Sequence, residues 1–177
     1  ATAAFQTWLA ASQTFSRQHP TGWVSAGPQI TLTTARTPRA KAAAKTASAA
    51  SDAPPPTVSE DGTIVLPPGQ ADDLTLSVQP GAGIVAALQL EILPAPDQDR
   101  FSGTVTLTAN LQREGTAPPE PIRFRFADSA TKAERYDNGF PIPGIMSGWK
   151  LAGVPASARP TGVWLPERPV PLAAGDT

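Results

Sequence analysis

The sequence contains no cysteine and only one histidine, His19. The lack of cysteine excludes disulfides, thiol catalysis, zinc–thiolate sites and covalent haem attachment on this chain. A Ser-His-Asp triad would have to use His19, which lies beside Pro20 at the end of a predicted helix, where a surface histidine is typical. No phosphate-cradling Gly motif and no His-rich metal spacing is present. We therefore expect no enzyme activity, an independent hydrolase included.

Charge of one sign and long apolar runs are also missing. The formal net charge is −1 over 177 residues, so no overall field favours nucleic acid or an anionic membrane. The apolar runs span only a few residues, which predicts no membrane insertion. The chain does not begin with Met, and we expect a mature form or an excised piece of a longer protein.

Proline is abundant, at 21 residues, and helix interiors tolerate it poorly because it lacks an N–H donor and clashes with the preceding turn. Short strands between Pro- and Gly-rich turns are the expected result. The first segment is the exception, because large apolar residues recur at helical spacing from Phe5 to Phe15. We predict a helix over 3–18, so that residues 1–21 form an N-terminal helix or linker from a preceding domain.

Alternation of apolar and polar residues dominates the rest of the chain and predicts half-buried antiparallel strands. Ile122, Phe124 and Phe126 are one such set on a common face, whereas 128–144 is predicted to be a long loop. Residues 36–57 are rich in Ala, Lys, Ser and Pro, and we interpret them as a mobile insertion. The fold class predicted for 22–177 is all-β, an antiparallel β-sandwich of jelly-roll type preceded by the single helix.

Several short motifs occur in an order that resembles a known family. They are Asp61-Gly62-Thr63-Ile64, Leu88-Gln89-Leu90-Glu91-Ile92-Leu93-Pro94, Phe126-Ala127-Asp128, Asp137-Asn138-Gly139-Phe140-Pro141-Ile142, Gly148-Trp149 and Thr161-Gly162-Val163-Trp164. The order resembles the sandwich module of planctomycete-type multidomain cytochrome c proteins. Such modules are similar to discoidin and galactose-binding-like domains.

That resemblance implies a non-catalytic carbohydrate-binding-like module of a larger extracytoplasmic protein, in the periplasm or outside the cell. It implies no cofactor on this chain except a structural calcium ion, with haem confined to other domains of the parent protein. The expected partners are a glycan and the neighbouring domains. The alternative is a structural domain that docks and spaces its neighbours without binding glycan.

A glycan site needs an exposed aromatic ring with polar groups beside it. The segment around Tyr136, Asp137 and Asn138, together with Trp149, has these ingredients, and we predict these four as ligand-binding residues. Trp149 and Trp164 lie in strand-like segments, where an aromatic side chain more often belongs to the core. We expect a core position for Trp164, whereas for Trp149 and Tyr136 both alternatives, core residue and ligand contact, stay open.

Calcium needs several converging oxygen ligands. Asp97 and Asp99 are the predicted metal residues, and the alternative for them is an ordinary polar loop. Glu91 lies in an otherwise apolar strand and is expected to face solvent or to pair with Arg123 or Arg125.

Overall fold

The computed structural model describes residues 2–24, 30–35, 57–60, 62–65, 73–94, 98–101, 103–115 and 118–177; of 30–35, 73 and 74 it describes the backbone alone. The predicted insertion at 36–57 lies outside the described residues except for Thr57. The chain divides into two compact units, Ala1–Pro80 and Gly81–Thr177. The predicted boundary between residues 21 and 22 stays a prediction.

The first unit begins with the helix that the apolar spacing predicted. Helix α1 spans Thr2–Gln18, and the turn after it ends with Gly22 at a φ of 78°, a conformation that favours glycine. Two antiparallel pairs follow: β1 (Ile30–Ala35) pairs with β4 (Asp73–Val78), and β2 (Thr57–Val58) pairs with β3 (Ile64–Val65). Within the described ranges no helix has the length and apolar character that crossing a bilayer requires.

The second unit consists of short strands and one 3₁₀ helix. Their bounds are β5 Gly83–Val85, β6 Leu88–Glu91, β7 Thr104–Val105, β8 Ala109–Leu111, β9 Glu120–Ile122, β10 Phe124–Ser129, β11 Tyr136–Asp137, β12 Phe140–Pro141, β13 Trp149–Lys150, the 3₁₀ helix Ala156–Ala158, β14 Thr161–Pro166 and β15 Val170–Leu172. All strand pairs are antiparallel, in the order β10–β14–β6 in one sheet and as β5–β15, β7–β13, β8–β9 and β11–β12 elsewhere.

A mostly β architecture with antiparallel sheets and one N-terminal helix is therefore confirmed. The sheets are small, and proline explains part of this, because Pro121, Pro141 and Pro171 lie inside strands where they cannot donate to a ladder.

The core of the second unit lies against the three-stranded sheet. Trp149 and Trp164 meet edge to face with their ring centroids 5.8 Å apart. Around this pair pack Phe101, Ala127, Ile145, Leu151, Val154 and Ala156. On β14 every second residue is buried, so Gly162, Trp164 and Pro166 face inward. A core position for Trp164 is thereby confirmed.

A bulge in β10 changes the face that its residues present. The register of pairing with β14 shifts between Phe124 and Phe126. Phe124 packs against the core, but Phe126 is exposed and Ala127 is buried instead. The expectation that Phe124 and Phe126 share one face was wrong, because one extra residue reverses the alternation.

Glu91 is exposed, which confirms the first alternative expected for it, but its ion-pair partner is neither of the two arginines expected. Its carboxylate Oε1 lies 2.9 Å from Nε of Arg159, not beside Arg123 or Arg125. Arg159 follows the 3₁₀ helix with a φ of 45°, a left-handed conformation that is uncommon outside glycine.

Candidate functional site

The segment predicted to be a loop at 128–144 contains a β-hairpin. Strands β11 and β12 are joined by Asn138-Gly139, whose φ angles of 48° and 82° are both positive. Positive φ at both central residues is the requirement of a type I′ turn, and Asn-Gly is the sequence that adopts it most readily. The prediction of a loop was wrong for this part of the segment, because an Asn-Gly pair between two short extended segments favours a hairpin.

The hairpin register separates its side chains onto two faces. Tyr136 lies opposite Pro141, and Asp137 lies opposite Phe140. Successive residues of a strand point to opposite faces, so Tyr136 and Pro141 share one face and Asp137 and Phe140 share the other. Only the first pair lines an adjoining cleft. Asp137 therefore lies on the face of the hairpin opposite to Tyr136, and Asn138 is a central residue of the turn.

The cleft beside Tyr136 has a volume of about 270 Å³. One side is the segment leading into the hairpin, and the other is the chain that follows it as far as β13. Its lining residues include four charged side chains, namely Lys132, Glu134, Arg135 and Lys150. The cleft thus combines an aromatic ring with hydrogen-bonding groups of both signs.

Tyr136 is exposed and its hydroxyl is engaged. The side chain has 60% of its surface accessible, and its hydroxyl donates to Oε2 of Glu134 at 2.6 Å. That hydrogen bond to the carboxylate, followed by the repulsion between the two negative charges, raises the pKa of the Tyr136 phenol above its ordinary value of 10.0. The hydrogen bond fixes the orientation of the Tyr136 ring through its hydroxyl group, and the ring itself remains accessible to solvent.

Arg135 anchors the cleft to the turn before β13. Its Nη1 donates to the carbonyl of Gly148 at 2.8 Å and to the hydroxyl of Ser147 at 3.0 Å. Gly148 has a φ of 122°, and a Cβ at this position would meet Cγ2 of Thr104 at 2.8 Å. Glycine is therefore required here, and the guanidinium reaches the backbone of this turn.

An ion pair joins Lys132 of the cleft lining to Asp128. The ammonium of Lys132 binds Oδ1 of Asp128, and the Ser129 amide donates to the same oxygen at 2.8 Å. The hydrogen bond from Lys132 is the main reason that the pKa of Asp128 falls below its ordinary value. The positive charge of Lys132 is thus matched by a carboxylate within the protein.

Trp149 is not a surface platform. Its side chain has 0% exposure, and its indole Nε1 donates to the carbonyl of Thr131 at 2.9 Å. The prediction of a ligand contact is corrected to the alternative of a core residue, because a ring without accessible surface cannot meet a ligand. It holds the segment before the hairpin to the core.

Of the two predicted metal residues, the structure describes only Asp99. Asp97 lies outside the described residues, and the backbone carbonyl of Asp99 accepts a hydrogen bond from the Ala156 amide at 2.8 Å. Over the described ranges no group of three or more His, Cys, Asp or Glu side chains comes together. A calcium ion stays a prediction.

His19 lies at the end of α1, where its ring contacts the ring of Phe15 with centroids 4.8 Å apart.

Comparison with known protein families, with curated proteins and with solved structures finds no match to this chain. The resemblance to the cytochrome c-associated sandwich module therefore stays a prediction from the sequence motifs.

Proposed function

We propose that this chain is a non-catalytic carbohydrate-binding module of a larger extracytoplasmic protein, with Tyr136 as the ring on which the sugar stacks. The proposal includes a galactose-binding-like jelly-roll sandwich, a periplasmic or extracellular location, and haem carried by other domains of the parent protein. These parts rest on the sequence resemblance.

The observation that carries the proposal is the exposed Tyr136 ring at the edge of an open cleft. A filled turn with a buried Tyr136 would have favoured the docking alternative. An exposed ring offers an apolar face to the C–H groups of a sugar, and adjacent polar groups fix its hydroxyls. Here Glu134 and Lys150 line the same cleft and supply such groups.

The hairpin provides a matched pair of variants for the test. Tyr136→Ala removes the ring on the cleft side, and Phe140→Ala removes a more exposed ring from the other face of the same hairpin. A glycan array is screened with the unmodified chain and both variants, with and without calcium. We expect saturable binding that Tyr136→Ala weakens by about tenfold or more, roughly 1.4 kcal/mol, and that Phe140→Ala leaves unchanged.

Two results would count against this site. Equal losses in both variants would place the sugar elsewhere or reflect a disordered hairpin, which far-ultraviolet circular dichroism of the variants detects. No binding to any glycan under either condition would reject the carbohydrate proposal.

The docking alternative has one observation in its favour. Phe140 is 76% exposed, the largest exposure among the large apolar side chains that the structure describes. A superficial aromatic ring is a common anchor in protein interfaces. In that case Phe140→Ala, and not Tyr136→Ala, would weaken association with the neighbouring domains of the parent protein.

A further inference from the structure

The charged side chains of the cleft differ in whether the protein already satisfies them. Lys132 is paired with Asp128, and the carboxylate of Glu134 accepts the Tyr136 hydroxyl. Among the described residues, Arg135 donates to the uncharged oxygens of Ser147 and Gly148 and forms no ion pair. The carboxylate of Glu134 keeps its charge when it accepts the neutral hydroxyl of Tyr136, so three cations of the cleft stand against the two carboxylates of Asp128 and Glu134 and leave one net positive charge.

Lys150 is the second cation of the cleft without an ion pair among the described residues. It follows the buried Trp149 on β13, where alternation places it on the face away from the core, and it is exposed. Within the part of the chain that the structure describes, its ammonium forms no ion pair.

The backbone around Lys150 is fixed from both sides. The residue lies opposite Thr104 of β7, and its carbonyl accepts a hydrogen bond from the Ala133 amide at 2.8 Å. The backbone of Lys150 is therefore held in place at the cleft wall, whereas its long side chain can change conformation to meet a ligand.

The donors still available to a ligand are thus the ammonium of Lys150 and the remaining N–H groups of the Arg135 guanidinium. Both carry positive charge, and charge-assisted hydrogen bonds to carboxylate or sulfate oxygens are about twice as strong as neutral ones. A neutral sugar would leave the net positive charge of the cleft without a counter-charge.

Building on the proposed function, we infer that the glycan is acidic, bearing carboxylate or sulfate groups that Lys150 and Arg135 bind while its ring stacks on Tyr136. The residue that distinguishes acidic from neutral glycans is Lys150, because Arg135 also holds the turn at Gly148.

The test compares ligands that differ in charge alone. The full chain is titrated by calorimetry with an oligogalacturonide, with its methyl ester, and with a sulfated galactan oligomer that separates the two acidic chemistries. Lys150→Gln is compared with Arg168→Gln, which removes one positive charge from an exposed position of the same unit outside the cleft. We expect Lys150→Gln to weaken binding of an acidic glycan about tenfold, Arg168→Gln to have little effect, and the ester to bind weakly to every form.

The possible outcomes distinguish failure of the acidic specificity from failure of the proposed carbohydrate binding. If neutral glycans bind in a Tyr136-dependent way and Lys150→Gln changes nothing, the carbohydrate site stands and the acidic specificity is refuted. If Lys150→Gln and Arg168→Gln weaken binding of the acidic glycan equally, the loss reflects the net charge of the protein and not a contact in the cleft, which also refutes the acidic specificity. If no glycan of either kind binds, the proposed function fails together with the inference.

Discussion

Replacing Trp149 by Phe tests whether this side chain is a core residue. The substitution keeps an aromatic ring but removes the indole N–H and part of the ring system. The lost bond is the one from Nε1 to the carbonyl of Thr131 at 2.9 Å. The Ser129 hydroxyl also donates to that oxygen, at 3.0 Å, so the carbonyl keeps one partner after the change.

The expected loss follows from these contacts. Because the carbonyl is not orphaned, the hydrogen bond contributes its net value of about 1 kcal/mol and not the larger desolvation cost. The smaller ring leaves a cavity beside Trp164, which adds about 1–2 kcal/mol, between the cost of removing one methylene and that of truncating Trp to Ala. We therefore expect the free energy of unfolding of the second unit to fall by about 2–3 kcal/mol.

Urea denaturation followed by far-ultraviolet circular dichroism measures this loss, with Phe140→Leu as the control. That control changes an exposed ring in the same unit and should alter stability by no more than about 0.5 kcal/mol. A Trp149→Phe variant as stable as the control would refute the core assignment and restore Trp149 as a candidate for ligand contact. Unequal denaturant slopes would show that the unfolding is not a single transition.

Three further predictions concern other positions. Gly162→Ala should cost about 1–3 kcal/mol by urea denaturation, because its Cβ would lie 2.7 Å from the Trp164 ring, whereas Gly83→Ala meets nothing and should be neutral. The absorbance of the single tyrosine should titrate above 10.0, since the Glu134 carboxylate holds the phenol proton, and Glu134→Gln should lower that pKa. Asp176→Ala should cost about 1–3 kcal/mol in thermal unfolding, because this buried carboxylate accepts hydrogen bonds from two backbone amides and an arginine.

Each of these has a result that would contradict it. Equal stability of the two glycine variants would mean that the backbone moves to admit a methyl group at position 162. The hydrogen bond of Tyr136 raises the folded pKa, so its contribution is fully present below about pH 10 and is lost as pH rises through the folded value. A phenol titrating at its ordinary value would show that this bond does not persist in solution. A neutral effect of Asp176→Ala would show that the turn at 173–176 holds without its carboxylate.

The sequence was sufficient for features that depend on local pattern. The apolar spacing from Phe5 to Phe15 predicted α1, because residues three and four apart share a helix face. The position of Trp164 in a strand-like segment predicted its burial, because aromatic side chains in strands more often belong to the core. The abundance of proline predicted short strands, since each proline removes one ladder donor.

The candidate site could be predicted only in part. Tyr136 was predicted as a site residue because an aromatic ring with polar residues beside it has the local ingredients of a glycan site, and the structure shows this ring to be exposed. Its neighbours Asp137 and Asn138 do not join it, because the hairpin register places one on the opposite face and the other in the turn. Arg135 and Lys150 were missed, since their positions at the cleft depend on segments brought together by folding.

The tertiary structure alone decided the features that depend on which strands meet and in what register. Trp149 is buried because its ring packs against Trp164 and its indole N–H donates to the carbonyl of Thr131. One extra residue in β10 turns the Phe126 side chain to the exposed face. Glu91 pairs with Arg159 because the turn before β14 carries that arginine back beside β6. Local periodicity states which residues alternate, but only the packed chain determines which face of a strand is inside and which distant charge lies across from it.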